Sequence, residues 1–456
     1  MLPELRTTIP GPRSRDLGAR LRRCESRNVT LVTESWPVFW DRAQGVNVWD
    51  ADGNRFLDFT SGFGVAGLGH SAEPVRHALT EQADRLLHAM GDVHPAEVKV
   101  ELCETLGQLT FARWGLGPGK VILGNSGSDA VEAALKTSLL HSGKPGVLVF
   151  AGSYHGLGYG ALETTSLEFF RRPFRAQLGR FATVVPYPYC YRCPLGHGGP
   201  FAREGGEFPN CSTGCLEELS ARMRKEITRR EIGAILVEPV QGRGGEVVPP
   251  KDFLRLLRQI CDEEKILLVA DEIYTGLNRT GRLFACDHSG VAPDIICLGK
   301  ALTSGFPLSA CVGRADVMEA WPATSGEALH TSTFLGNPLG CAMALASLRE
   351  HLRPEIAGQV RAAGRHLRSA LEAIPSPRIG QVRGVGLLIG VELIDAAGAP
   401  DPGLAARCVT RGLEAGILLL AGGPAGNVLS LTPPFEISPE ESEFFARTLQ
   451  EILAGG

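Results

Sequence analysis

The chain reads as an α/β protein with a mostly parallel central sheet, and three observations predict it. From Lys120 onward, short apolar runs alternate with amphipathic helical stretches, the order in which parallel strands joined by crossover helices must occur. The runs are apolar throughout, as strands covered on both faces are. Glycine, at 56 residues, falls at the junctions between elements and not in a low-complexity tract.

Taken in order, residues 29–62 read as short extended pieces joined by polar turns. In "VFWDRAQGVNVWDADGNRFLDF" the "DADGN" is a hairpin turn that sets Val48 and Phe56 on one packed face. Helical periodicity follows from Glu73 to Met90 and again in "EVKVELCETLGQL". "KVILGNSGSDAVEAALKTSLLHSG" is strand, glycine-serine turn and helix, and "GVLVFAGSYHG" is a strand with a glycine-rich exit. "IGAILVEPV" and "KILLVADEI" are strands with the helix "FLRLLRQICDEE" between them, and "DIICLGKAL" and "SACVG" add two more. After these come a helix in "EIAGQVRAAGRHLRSALEAI", a strand in "VRGVGLLIGVEL" and a closing helix in "PEESEFFARTLQEILAG". Residues 70–345 are expected to form the large domain, with a Cys-rich insertion at 186–216. Residues 1–69 and 346–456 are expected to pack together as a smaller α+β domain. There is no internal repeat.

Composition excludes several classes. With 44% hydrophobic and 21% charged residues the chain is ordinary for a globular protein, and its net charge of -4 argues against dependence on nucleic acid or an anionic membrane. No apolar run approaches the roughly 18 residues of a membrane span. The N-terminal arginines lack the apolar segment of a signal peptide, and Glu4, Asp16 and Glu25 interrupt a transit-like reading. Most of the 12 cysteines lie in apolar or helical contexts, as small buried hydrophobes do, so a reducing cytoplasm is the expected compartment. Four of them, Cys190, Cys193, Cys211 and Cys215, are spaced C-x2-C-x17-C-x3-C in a Gly- and Pro-rich stretch. That spacing admits a structural zinc, with His197 a spare ligand, as well as disulfides or unbridged thiols. The metal content is left open.

In a parallel α/β sheet, ligands bind beyond the carboxyl ends of the strands. Gly127 and Ser128 open a helix whose free N–H groups and dipole suit a phosphate. Tyr154 and His155 leave the next strand, Glu238 ends "AILVEP", Asp271 and Glu272 end "LLVADE", and Lys300 follows "IICLG". Singly, each has an ordinary structural use, such as a plain N-cap or a packing aromatic. Together they describe a pyridoxal 5'-phosphate site. A lysine beside an apolar strand can form a Schiff base with an aldehyde, and an aspartate can keep a pyridine nitrogen protonated. In its free-amine phase Lys300 is also the natural base for moving the substrate proton.

"LLVADEIYTGLNRTGRLFACDHSGVAPDIICLGKALTSGFPLSA" resembles the pyridoxal-phosphate signature of the class III aminotransferases of fold type I, the ornithine and 4-aminobutyrate aminotransferase-like enzymes. The resemblance runs through nearly the whole chain: "NSGSDAVEAALK" and "TSTFLGNPLGCAMALA" are similar to phosphate-binding elements, and "YHG" to the ring-stacking one. It implies Gly127 and Ser128 as phosphate ligands, Tyr154 as the ring-stacking residue with His155 beside it, Asp271 on the pyridine nitrogen, Ile273 on the other ring face and Lys300 as the Schiff-base lysine, while Glu238 stands with them as a strand-end candidate for the cofactor site. Thr333 resembles the threonine that reaches the neighbouring subunit's cofactor, which implies a homodimer with sites at the interface.

The substrate side departs from this family's best-known members. Where they carry an arginine after "HG", this chain has Leu157. Where they pair a glutamate beyond "EP" with a C-terminal arginine, it has Arg243 and Ser430. Arg243 could itself anchor a substrate carboxylate through a bidentate guanidinium, or be structural. The implied activity is transamination from an amino acid or ω-amino compound to a 2-oxo acid. A racemase or epimerase of the same family is the alternative, and a decarboxylating or non-catalytic relative a third.

Overall fold

The computed structural model describes residues 1–33, 35–196 and 214–455. Near the N-terminus β1 (Trp40–Gln44), β2 (Asn47–Asp50) and β3 (Arg55–Asp58) form a meander. The "DADGN" turn closes β2 on β3, Gly53 at φ 83° donating its N–H to the Asp50 carbonyl. Val48 and Phe56 are cross-strand partners, both fully buried. The following helix, Glu73–Arg85, stops five residues short of the periodicity. There the Leu86 and Leu87 carbonyls accept instead from the side-chain amides of Gln82 and Asn337.

Next come β4 (Lys120–Gly124), β5 (Gly146–Phe150), β6 (Ala182–Val185), β7 (Ile232–Val237), β8 (Leu267–Asp271), β9 (Ile295–Leu298) and β10 (Ser309–Gly313). They build a seven-stranded sheet in the order β4-β10-β9-β8-β7-β5-β6. Only β10 runs against its neighbours; every other pairing in the sheet is parallel. Helices Gly127–Ser142, Gly214–Arg229 and Phe253–Glu264 cover its faces, so β5, β7, β8 and β9 are buried at every position. This is the physical reason their sequences read as continuous apolar runs.

"VRGVGLLIGVEL" is two strands, not one: β11 (Ile379–Val385) and β12 (Leu388–Leu393) fold on each other antiparallel. The turn uses Gly386 at φ 61°, where a Cβ would strike the Thr280 and Arg279 backbone at about 2.5 Å. A hairpin this tight leaves no polar break, so a single-strand reading of the run was natural. The last strands are β13 (Ile417–Leu418), β14 (Leu420–Gly422) and β15 (Val428–Leu431). β15 joins the β11–β12 hairpin, while β13 pairs parallel with β3, so the two ends of the chain share a sheet. Phe59 packs on Phe445 of the closing helix Pro439–Ala454, ring centroids 4.3 Å apart, in a core drawn from both ends.

Among the described residues no helix is long and apolar enough to cross a membrane, and no group of three His, Cys, Asp or Glu could hold a metal. Cys190 and Cys193 are half-buried and Cys215 is buried in the first turn of Gly214–Arg229. Cys211 and His197 lie outside the described residues.

Candidate active site

The sheet gathers the strand-end residues at the carboxyl ends of its parallel strands β5, β7, β8 and β9. Asp271 closes β8, and its Oδ2 lies 2.7 Å from His155 Nδ1. His155 leaves β5, its backbone N–H bonded to Thr165 Oγ1 at 2.9 Å. Asp271 Oδ1 accepts the Ile273 N–H at 3.1 Å. Both carboxylate oxygens are thereby oriented, while a carboxylate keeps further lone pairs for another donor. Histidine and aspartate are both buried.

Lys300 stands two residues past β9 with φ 42°, a left-handed backbone that costs a non-glycine residue free energy and collects at functional sites. The residue as a whole is half-buried, with Nζ 4.7 Å from the Tyr274 ring centroid. Desolvation pulls its pKa below the ordinary lysine value, against Asp271 and Glu238, which favour the ammonium; Arg243 adds to the lowering.

Helix Gly127–Ser142 begins with a capping box. Ser126 Oγ takes the Asp129 N–H, and Asp129 Oδ2 takes the N–H groups of Asn125 and Ser126. The N–H groups of Gly127 and Ser128 have no acceptor among the described residues, and they open the first turn of a 16-residue helix. A Cβ on Gly127 would lie 3.0 Å from Ile273 Cδ1, so this backbone and the Ile273 side chain share one wall. Gly156 of "YHG" has φ 126° and faces Ser128, whose Oγ accepts the Gly158 N–H at 2.9 Å.

Glu238 spends its two oxygens on backbone N–H groups, Tyr154 at 3.0 Å and Gly242 at 3.0 Å. Burial pushes its carboxyl up to about 7, Asp271 reinforcing the rise and His155 and the two N–H donors resisting it. Glu272, the other acid of "ADE", turns away: it accepts the Thr275 hydroxyl and the Ala285 and Cys286 N–H groups and holds the next turn. Thr333 is exposed, outside this cluster; its loop meets the phosphate-side turn where Asn125 Nδ2 lies 3.3 Å from Ser332 Oγ.

On the substrate side Leu157 is exposed. Arg243 is exposed on the loop between β7 and helix Phe253–Glu264, its Cζ 5.7 Å from the Phe170 ring centroid. Phe170 packs edge-on to Tyr154 at 5.3 Å, so the guanidinium faces the same mouth as the tyrosine. No carboxylate among the described residues lies within ion-pair distance of it. Ser430 makes no bond to Arg243; its hydroxyl donates to Glu246 Oε1.

Two residues of this site escaped the sequence reading. Glu246 is 1% exposed, its Oε2 has no partner, and burial pushes its carboxyl up to about 8. Tyr274 lies under Lys300. An acid set between a glycine pair and "VV" was the available signal for Glu246. For Tyr274 it was an aromatic three residues past the strand-end aspartate.

Comparison with known proteins adds the following. The family described as aminotransferase class-III matches residues 31–453. A 4-aminobutyrate aminotransferase of Mycobacterium leprae is 35% identical over 443 residues, 96% of this chain and 95% of that protein. A leucine/methionine racemase of Thermococcus litoralis is 35% identical, covering 92% of this chain and 91% of its own. A PLP-bound amine transaminase from an uncultivated Pseudomonas species superposes with a TM-score of 0.84 at 29% identity, over 95% of this chain and 98% of that one.

Proposed function

We propose, from the premise that this chain belongs to the class-III aminotransferases and works with pyridoxal 5'-phosphate, that it takes the amino group of a carboxylate-bearing ω-amino compound such as 4-aminobutyrate and passes it to a 2-oxo acid. The donor set fits the cofactor. Gly127 and Ser128 offer unclaimed N–H groups at a helix N-terminus, where a phosphate is held by hydrogen bonds and dipole together. Tyr154 and Ile273 are the residues for the two ring faces. Asp271, buried and turned by His155, is the partner for the ring nitrogen. Glu238 acts through Tyr154 and Gly242, whose backbones it holds. When bound, the cofactor supplies a ring that withdraws the electron pair left by a departing substrate proton.

The remaining work falls to side chains of this chain. Lys300 Nζ is the attachment point and, once released, the base that takes the proton from the substrate carbon and returns it. Its depressed pKa favours the neutral amine that this task needs, relative to an ordinary lysine. Arg243 receives the donor's carboxylate. The observation that carries the donor class is this exposed guanidinium over Phe170, next to Tyr154, with no carboxylate among the described residues within ion-pair distance. A cation apart from Lys300 is what the carboxylate end of an ω-amino acid requires.

The racemase relative supports a second reading, in which the proton returns to the same carbon. One experiment separates the two. Holoenzyme is mixed with 4-aminobutyrate, with butylamine and with both enantiomers of alanine, first without and then with pyruvate or 2-oxoglutarate. Transamination predicts that the cofactor band changes on mixing with 4-aminobutyrate alone, and that turnover needs the oxo acid. Interconversion of enantiomers without oxo acid, and without that spectral change, overturns it. In Lys300→Ala both reactions are expected to be lost.

We also propose a homodimer in which Thr333 of each chain serves its neighbour. Leu86, Leu87, Met90 and Val93 with Leu329 and Phe334 form an exposed apolar area, tied together by Asn337 to Leu87 and Thr331 to Asp92. Such an area is larger than solitary surface residues account for. The cytoplasm remains the proposed compartment. Light scattering on the purified protein reads the oligomeric state directly.

A further inference from the structure

The geometry points to Tyr274 as a positioning residue for Lys300, its ring face holding Nζ and setting the pH at which that nitrogen gives up its proton. This rests on the role proposed for Lys300 and adds a partner to it. Nζ lies 4.7 Å from the ring centroid, inside the roughly 6 Å within which a cation is drawn to an aromatic face.

The ring cannot drift from that position. A Cβ on Gly242 would come 2.3 Å from its Cδ1, and one on Gly64 2.6 Å from its Cε2, so two glycine backbones flank the aromatic edges. The phenol is tied at the far end. Thr432 Oγ1 spends its hydrogen on the Thr60 carbonyl at 3.0 Å and is left to accept from Tyr274 Oη at 3.3 Å. The hydroxyl therefore points toward the smaller sheet, and the π face is what Lys300 meets. Thr60 and Thr432 belong to the two ends of the chain, so the part of the fold they build is tied to the ring that meets the reacting nitrogen.

The charges around the pair fix the sign of the effect. Asp271 and Glu238 face Lys300 and favour its ammonium, whereas desolvation and Arg243 disfavour it. Burial raises the phenol's pKa, with Glu246 adding to the rise and Arg279 opposing it, so the ring stays uncharged through neutral pH. A neutral ring face stabilises positive charge at Nζ. Removing it must shift the protonation equilibrium of Nζ to lower pH, whether the nitrogen is free or attached to the cofactor.

The test compares Tyr274→Phe, Tyr274→Leu and Tyr274→Met as full-length holoenzymes. The pH titration of the cofactor's visible absorbance reports protonation at Nζ, and the acid limb of the amine half-reaction gives a second profile. Leucine and methionine are expected to move both profiles down by about 0.4 to 1.5 pH units, the size of a partly desolvated cation–π contact. Phenylalanine, which keeps the ring, is expected to stay within about 0.2 units. If Phe moves as far as Leu and Met, or if none of them moves, the ring face has no such role. Borohydride reduction and peptide mapping of every variant then keep the two readings apart. Attachment at a lysine other than Lys300 in the unaltered protein overturns the Lys300 reading and this one with it. Attachment at Lys300 with unmoved profiles overturns the role of Tyr274 alone.

Discussion

Glutamine in place of Glu246 is expected to flatten the pH dependence of stability across neutrality. Glu246 is 1% exposed and sits with φ 49° behind the Arg243 loop, taking the Ser430 hydroxyl on one oxygen while the other has no partner. Arg383, a buried cation that favours the carboxylate, is already committed to Glu392 at 2.7 Å and to the Gly245 carbonyl. Burial therefore wins, and the carboxyl is pushed up from 4.5 to about 8. In the unfolded chain it titrates near its ordinary value, so between those two values the native state holds a proton that the unfolded state has lost. The linkage relation then makes stability fall as pH rises through this window, by about 1.4 kcal/mol per pH unit. Below about pH 4.5 the effect is absent, and above about pH 8 it is complete. From pH 5.5 to 8.5 the native protein should lose about 3 kcal/mol relative to Glu246→Gln. The amide keeps the oxygen that Ser430 needs and cannot ionise. Urea unfolding of both holoenzymes at the two pH values measures the difference. Glu238 titrates in both proteins and largely cancels. Parallel pH dependences would mean that Glu246 ionises normally, and the account of its burial would be wrong.

Arg243→Ala should raise KM for 4-aminobutyrate by about 10- to 150-fold, the cost of one charged hydrogen-bonded contact, and leave a donor without a carboxylate unaffected. Steady-state kinetics with matched donors decides it, and equal losses on both would make the arginine structural. Gly127→Ala puts a Cβ 3.0 Å from Ile273 Cδ1 at the proposed phosphate turn, and cofactor affinity in an absorbance titration should weaken by about tenfold or more. Phe445→Ala removes the ring that packs on Phe59 at 4.3 Å and should cost about 3–5 kcal/mol in urea unfolding, reporting how far the two chain ends share one core.

The residues that sequence made legible are those whose chemistry depends on local order. Asp271 ends an apolar strand, and Lys300 and His155 follow one by two and five residues, so the strand itself announces where they stand. Gly127 and Ser128 are legible for the same reason, at a strand-to-helix turn. The β11–β12 turn was not, because Gly386 reverses the chain inside an apolar run with no polar residue to mark it. Tyr274 and Glu246 were missed on different grounds. What defines them is a neighbour far along the chain, Thr432 for one and Ser430 for the other, and that adjacency exists only once β15 and the residue after it have come against the loops that follow β8 and β7. The sequence placed Ser430 opposite Arg243 by resemblance, whereas the fold gives it to Glu246.

That exchange has a consequence for how the substrate side works. From Glu238 to Glu246 the loop is anchored by an acid at each end, one gripping the Tyr154 and Gly242 N–H groups and the other gripped by Ser430. Both acids are pushed toward neutrality by burial, so near pH 7 neither fully offsets Arg243. The guanidinium stays available to a ligand because no carboxylate among the described residues pairs with it and burial keeps these two acids from fully ionising. As pH rises past about 8 both carboxyls gain charge, and Glu246 in particular competes with a substrate carboxylate for the same cation. Affinity for carboxylate donors should then weaken with rising pH while affinity for simple amines does not. In Glu246→Gln the difference between the two donor classes should lose most of its pH dependence. A KM profile for 4-aminobutyrate that stays flat from pH 7 to 9 in the unaltered enzyme would show that the loop's charges act independently, and that the buried acid serves stability alone.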